Sequence, residues 1–341
     1  MTGTDSHETV LPLIGAWALD ACSTAEAEVV EAHLVSCPAC AAEAGELREV
    51  AAGLAGDDLR QSPGSTARLL SSARRVRRPA AAAPAFAAPY AAQVAALDLL
   101  LSGLDAERWR RTAAYEEMTV HDLVAHLAAT DSLIAAGLGL PVEPPVEPGQ
   151  RLAARTAAVL RRERGRPAEE TRRSWRAQAD AVCRALREHP APATVTMGRP
   201  FPVTDALLAR AFETWIHRED IAAAVGRPTV PPLPEHLHPM TDLAVRSLPG
   251  VLTRRLTAHH DQLVRLDLTG DGGGTWTVPL SLPDTVPVVA RPAATVTVDV
   301  VEFCRLAGAR RDPDRIGAEV AGDVTLAREF LAAVPAMAPV P

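Results

Sequence analysis

Lysine is absent from all 341 residues, so arginine carries the positive charge of the chain. Together with abundant alanine and 29 prolines, that bias is the mark of a GC-rich coding sequence, and alanine runs here carry little structural information. A basic surplus is missing too. The formal net charge of −7 and a pI near 5.8 argue against a nucleic-acid-binding body. The local run Arg74, Arg75, Arg77 and Arg78 reads as a solvated helix end or a linker. Cysteine is scarce: five residues, two of them close together, suit a reducing cytoplasm better than a disulfide scaffold. A clean apolar run long enough for a membrane is also lacking. Pro79 to Leu101 comes nearest, but alanine dominates it, Pro84 and Pro89 interrupt its first half, and Gln93 and Asp98 lie in its second. Met1 to Glu8 is polar and acidic, so no signal peptide is expected, and the sequence reads as a soluble cytoplasmic protein.

The most informative feature present is the segment EAHLVSCPAC, where His33, Cys37 and Cys40 form an H-x3-C-x2-C cluster. A C-x2-C pair can hold one tetrahedral ion from a tight turn, and a histidine four positions earlier lies one helical turn back on the same face. That spacing predicts a zinc site with one ligand still to find. His7, 26 residues before His33, and Cys22 are the candidates. A thiolate pair on zinc is open to oxidation, which releases the metal and melts the small fold around it.

At this length the chain can hold two or three domains of roughly 100–200 residues. It reads as three parts. In the first, residues 1–78, a helix is predicted around residues 8–20, a second enters through Ser23 or Thr24 with Glu26 and Glu28 in its first turn, and a third runs from about Ala41 to Leu54 after the cysteine turn. Beyond a polar break at Gly56 to Gly64, SPGSTARLLSSARRVRR places Leu69, Leu70, Ala73 and Val76 at helical spacing against arginines. Such a helix needs a partner surface. The order His7, LPLIGAWALD, EAHLVSCPACAAEAGEL, SPGSTARLLSSARRVRR resembles the zinc-binding anti-sigma domain of bacteria over about the first fifth of the chain. The resemblance implies His7, His33, Cys37 and Cys40 as zinc ligands and an extracytoplasmic-function sigma factor as partner. It also implies a steric mechanism, in which module and trailing helix wedge between the two sigma regions and cover their polymerase-binding faces.

The second part, about residues 85–228, is predicted to be helical with proline-rich joints. Four helices are expected: Ala91 to Leu104; VHDLVAHLAATDSLIAAGL after an N-cap at Thr119; a long one containing SWRAQADAVCRALREH; and TDALLARAFETWIHREDIAAAVG. The default architecture is an antiparallel bundle. Glu213 and His217, spaced i, i+4, share one helix face among Leu208, Phe212 and Ile216, and His126 lies among Leu123, Val124 and Leu127. Together they fit a two-His, one-carboxylate site for a divalent metal, with open positions for water or a thiolate. The strings WRRTAAYEEMTVHDLVAHLAA and FETWIHREDIAAAVGRP resemble the mycothiol-dependent maleylpyruvate isomerase group, a metal-binding bundle of the DinB type. That resemblance puts the metal, zinc in the group, on His126, Glu213 and His217, and implies mycothiol as the low-molecular-weight thiol that the metal activates.

The third part, residues 234–337, opens with a helix through HPMTDLAVRSLPGVL. Three β-rich runs follow, VRLDLTG, TWTVPL and ATVTVDV, the first two joined by a hairpin at Asp271 to Gly274. VEFCRLAGARR as a helix, GAEVAGD as a strand and VTLAREFLAAV as a last helix complete a small α+β layer. Its order resembles the C-terminal domain of the same isomerase group, which implies a basic substrate-site residue, and Arg291, just before ATVTVDV, is the candidate. The expected fold is thus mainly α with a small α+β part: a helical zinc module, a four-helix DinB-like bundle and a C-terminal α+β domain. Two functions follow as expectations, a zinc-dependent anti-sigma factor with an isomerase-like sensor body, or a mycothiol-dependent isomerase or transferase with an accessory zinc module. An adaptor with a dead bundle is the third.

Overall fold

The computed structural model describes residues 3–55, 79–113, 117–147, 149–188, 194–197, 200–259, 261–282 and 291–338. The arginine-rich helix expected over residues 62–78 lies outside them. The chain divides into two compact units, Met1–Pro79 and Ala80–Pro341.

In the first unit, α1 (Gly3–Val10) gives way at Pro12 to a 3-10 turn, and α2 (Ile14–Ala18) follows. Where the sequence suggests one helix over residues 8–20, Pro12 interrupts it, because proline brings no N–H to the helical ladder. Ser23 caps α3 (Thr24–Ser36) reciprocally. Its hydroxyl accepts from the Glu26 N–H at 3.4 Å, and the Glu26 carboxylate accepts from the Ser23 N–H at 2.9 Å. Cys37, in extended conformation, ends α3, and α4 (Pro38–Ala55) begins at once with proline at its first position, where a missing N–H costs nothing. The two cysteines therefore flank a helix start, and the third helix begins three residues earlier than expected. The Arg48 guanidinium lies 4.2 Å over the Trp17 ring, whose N–H donates to Glu31 at 3.3 Å. Among the described residues, Val10, Ile14, Trp17, Val30, Cys40 and Ala44 form the buried apolar cluster of this unit. Small modules with few buried apolar residues are commonly supplemented by a bound metal.

The second unit begins with α5 (Ala88–Leu101), a short α6 (Ala106–Trp109), α7 (Val120–Gly137), α8 (Leu152–Glu163), α9 (Ala168–Glu188) and α10 (Val203–Val225). Helix α5 packs on α9 and α10, and α7 on α9 and α10, which closes a four-helix bundle; α8 is a fifth helix laid on α7. Thr119 caps α7, its hydroxyl accepting from the Asp122 N–H at 3.0 Å. A two-stranded hairpin, β1 (Thr194–Thr196) with β2 (Pro200–Pro202), precedes α10 and has no counterpart in the sequence reading. Leu97, Leu101, Leu123, Leu127, Trp175 and Trp215 are core residues of the bundle. The stretch weighed above as a membrane span is thus α5, a bundle helix, and among the described residues no helix is long and apolar enough to cross a membrane.

Helix α11 (Pro234–Arg255) packs on α10 and on β4, so that the bundle and the α+β layer share one continuous core. The sheet has order β4-β3-β5-β6, with β3 (Leu263–Thr269) antiparallel to β4 (Gly274–Pro279) and parallel to β5 (Ala294–Asp299), and β6 (Glu319–Gly322) antiparallel to β5. The β3–β4 turn needs glycine. Gly272 has φ +87°, and a Cβ on Gly273 would lie 2.1 Å from the Leu268 carbonyl oxygen. Asp299 ends β5 and caps α12 (Val300–Ala307), and α13 (Val324–Ala333) closes the layer.

Asp98, on α5, is buried and accepts from Arg172 and, at 3.0 Å, from Arg176 of α9. Removing the carboxylate takes one partner from each arginine and leaves Arg172 on Glu169 and Arg176 on Asp180. Asp98→Ala is expected to destabilise the body by about 1–3 kcal/mol, read as a lower urea midpoint for bundle unfolding; an unchanged midpoint would refute the assignment.

Candidate metal centres

Among the described residues, two groups of metal-ligating side chains bring one donor atom each to within 4.8 Å of the others: His7, His33, Cys37 and Cys40, and His126, Glu213 and His217. Each group lies within one unit.

In the first, α1 supplies His7, the last turn of α3 supplies His33, and the start of α4 supplies the cysteines. His7 Nδ1 is 3.2 Å from Cys40 Sγ and 3.8 Å from Cys37 Sγ, and the His7 and His33 ring centroids are 5.6 Å apart. A tetrahedral zinc with bonds of about 2.0–2.3 Å sets its ligands roughly 3.3–3.8 Å apart, so the donor set and its spacing fit that ion. Cys22 is not in this group; its thiol donates to the Leu13 carbonyl at 3.7 Å. The Cys40 backbone N–H, and after it His7, lower the Cys37 thiol to about 6, the usual effect of a helix N-terminus on a thiol. Burial pushes Cys40 the other way. Without metal, one thiolate therefore sits beside one thiol, and binding an ion expels the second proton.

The second group lies between α7 and α10. His126 Nε2 is 2.7 Å from Glu213 Oε1, His217 Nε2 is 3.9 Å from the same oxygen, and the two rings meet edge to face at 5.3 Å. The 2.7 Å contact is a hydrogen bond, and an ion entering between the two groups replaces its proton. The other carboxylate oxygen is taken by Arg210, which leaves Oε1 as a single-oxygen donor. Burial works against the Glu213 charge, but Arg210 and then His126 outweigh it and hold the carboxyl well below its usual range. Arg210 is itself fully buried and donates to Asp131 Oδ1 at 2.7 Å, while the Trp175 N–H donates to Asp131 Oδ2 at 3.0 Å. Burial keeps the His217 imidazolium unfavourable, and its Nδ1 faces Asp220 at 3.0 Å, leaving Nε2 toward Glu213. Two imidazoles and one carboxylate gathered at one point suit a divalent ion such as zinc, and that ion when bound would lower the pKa of a coordinated thiol or water.

Arg210, Asp131 and Asp220 escaped the sequence reading. Arg210 is three residues before Glu213 and Asp220 three after His217, so helical spacing offered a signal for both; nothing local marks Asp131. Arg291 is exposed, three residues ahead of β5.

Comparison with known proteins divides along the same boundary. Residues 8–41 match the model of a zinc-finger family, and residues 90–222 match that of the mycothiol maleylpyruvate isomerase N-terminal domain. The chain therefore carries a zinc-finger segment followed by a segment of the isomerase family. Comparison with curated proteins gave no match. Two crystal structures of the mycothiol-dependent maleylpyruvate isomerase, one of a histidine-to-alanine mutant, align at 17% identity and a TM-score of 0.44, covering 69% of this chain and 93% of theirs.

Protons compete with the ion for the two thiolates and two imidazoles, so acid is expected to release the N-terminal ion, and because bound metal stabilises the thiolate the release falls below the metal-free Cys37 range of about pH 6. Cys40→Ser is expected to weaken binding already at neutral pH. A chromophoric chelator reads both, and full retention at about pH 4 would contradict the ligand set.

Proposed function

We propose that this chain is a zinc-dependent anti-sigma factor, in which residues 1–78 sequester an extracytoplasmic-function sigma factor and the isomerase-like body acts as a metal-binding sensor. The observation that carries the reading is the gathering of His7, His33, Cys37 and Cys40 around one point in a module whose described apolar cluster is small. An ion at that point ties α1, α3 and α4 together. It thereby holds Leu19, Val35 and Val50, all more than half exposed, on a fixed scaffold where they can contact a partner. The zinc-finger match over residues 8–41 supports the same reading. Sequestration of this kind is steric and needs no catalysis. A sigma factor as partner puts the protein in the cytoplasm, with no direct contact to nucleic acid.

The body supplies the second half of the proposal. His126, Glu213 and His217 would hold a divalent ion, zinc by preference, and the ion would be the point at which a low-molecular-weight thiol such as mycothiol binds. For such a ligand to act as a signal it must bind the sigma-free and sigma-bound forms with different affinity. A second reading, a mycothiol-dependent isomerase or transferase with an accessory zinc module, is favoured by one observation: the His126, Glu213 and His217 donors lie within 4.8 Å of one another in the segment that matches the isomerase family model.

The full chain, purified with zinc from cells that co-express a sigma factor of this class, should retain that factor. His33→Ala and Cys40→Ser are expected to abolish retention, and His126→Ala to leave it standing. Retention indifferent to the N-terminal ligands would end the anti-sigma reading. Thiol-dependent turnover that disappears in His126→Ala and His217→Ala would instead support the enzyme.

A further inference from the structure

We propose that Arg310 is a positioning residue for the bundle centre: through Asp220 it dictates which nitrogen of His217 is presented to Glu213 and His126. The inference rests on reading these three side chains as a metal centre, and three features of the structure carry it.

The first is a relay of hydrogen bonds. Arg310 forks onto the Asp220 carboxylate, Nε to Oδ1 at 2.9 Å and Nη2 to Oδ2 at 2.6 Å, and Oδ2 also faces His217 Nδ1 at 3.0 Å. A neutral imidazole carries its proton on either nitrogen. A charged carboxylate on Nδ1 draws the proton there and leaves the Nε2 lone pair for an ion. A two-point guanidinium fixes that carboxylate in plane and orientation, which a lone charge would not.

The second is the backbone that delivers Arg310. Helix α12 ends in Gly308, and Ala309 beyond it has φ +58°, a left-handed conformation that L residues other than asparagine and aspartate seldom adopt. The Ala309 N–H donates to Leu306 O at 2.9 Å and the Arg310 N–H to Arg305 O at 2.7 Å, so the turn is held in place. Strain of this kind persists where surrounding structure demands it, and here it turns Arg310 back toward α10.

The third is close approach. A Cβ on Gly308 would lie 3.2 to 3.3 Å from three atoms of Ile216, the neighbour of His217 in sequence. Glycine lets the end of α12 press directly on the turn of α10 that bears the ligand. On the same face Arg305 grips Glu219 at 2.9 Å through two nitrogens. Two consecutive acids following the ligand pair are thus each clasped by an arginine from the α+β layer. Affinity of the bundle for an ion is thereby tied to the docking of α12.

The full-length chain tests this in two ways. In the metal-free, 15N-histidine-labelled protein, His217 is expected as the Nδ1–H tautomer, shifting to a mixture in Arg310→Met and in Asp220→Asn. In a cobalt(II) titration, the component that vanishes in His126→Ala is expected to weaken about 10–100-fold in Arg310→Met and to recover in part in Arg310→Lys. Arg305→Met removes a neighbouring arginine, on α12, without touching Asp220 and should weaken cobalt binding less. Unaltered tautomer and affinity in Arg310→Met would overturn the proposal, as would an equal loss in Arg305→Met, which would mark general loosening. Should Arg310→Met fail to fold, Asp220→Asn decides by the same two measurements. A wild-type chain with no cobalt in the bundle would refute the metal reading instead, and the tautomer would still decide the role of Arg310.

Discussion

An ionised Glu213 inside a helical bundle is the constraint to which much of the second unit answers. A carboxylate at that depth is tolerable only if a cation meets it, and Arg210 from the preceding turn of α10 does so. Arg210 is itself fully buried and so needs an anion beyond Glu213, which is Asp131 on α7. The second oxygen of Asp131 is then satisfied by the Trp175 indole on α9. One charge at the centre thus fixes contacts on three helices. Asp98 with Arg172 and Arg176 repeats the arrangement between α5 and α9. Such chains add little net stability, since a packed apolar core would do as well, but each link can be broken only at large cost. They fix the geometry of the donors rather than the stability of the bundle.

What could be read without the fold follows from how local each signal is. The H-x3-C-x2-C spacing and the Glu213 to His217 interval are periodicities within one or two turns, and the structure gathers those side chains. His7 and His126 come from other helices. For His7 the sequence offered an alternative, Cys22, until the fold turned its thiol to Leu13. Asp131 and Arg210, 79 residues apart, meet only because α7 and α10 pack together. Helix boundaries slipped where proline acted, at Pro12 inside the first helix and at Pro38 opening α4. The α+β layer was visible as alternating strands, yet its sharing of one core with the bundle was not, because the pairing of α11 with α10 leaves no periodic trace. Two arginines from the α+β layer, Arg305 on α12 and Arg310 after it, reach the ligand-bearing helix. A guanidinium carries no spacing signature.

The two centres differ in how they use an ion. In the first unit the described apolar cluster is small, so binding free energy at His7, His33, Cys37 and Cys40 would be folding free energy. Loss of that ion would then cost the shape. In the second unit the fold stands on a large core, and the His126, Glu213 and His217 donors are already held by hydrogen bonds. An ion there would find a prepared site, and losing it would cost function more than structure. Soft thiolates belong to the first and imidazole with carboxylate to the second, so oxidants would act on one and a competing thiol ligand on the other.

That asymmetry bears on how one chain could combine them. A signal must change the free energy of a form that binds the partner relative to one that does not. Under the proposed function, an event that expels the ion at the thiolate centre would unfold the surface offered to the partner and would need no further relay. At the bundle centre the fold survives the event, so a signal has to travel through an element with more than one arrangement. Helix α12 meets the physical requirement for such an element: it ends in a strained turn, rests on the ligand-bearing helix through a glycine, and is joined to it by paired charges rather than by a broad apolar seam alone. These charge pairs are largely shielded from water, so either can rearrange only by exchanging one partner for another, whereas apolar packing resists displacement over its whole area. A ligand at the bundle centre would therefore be felt first where α10 meets α12.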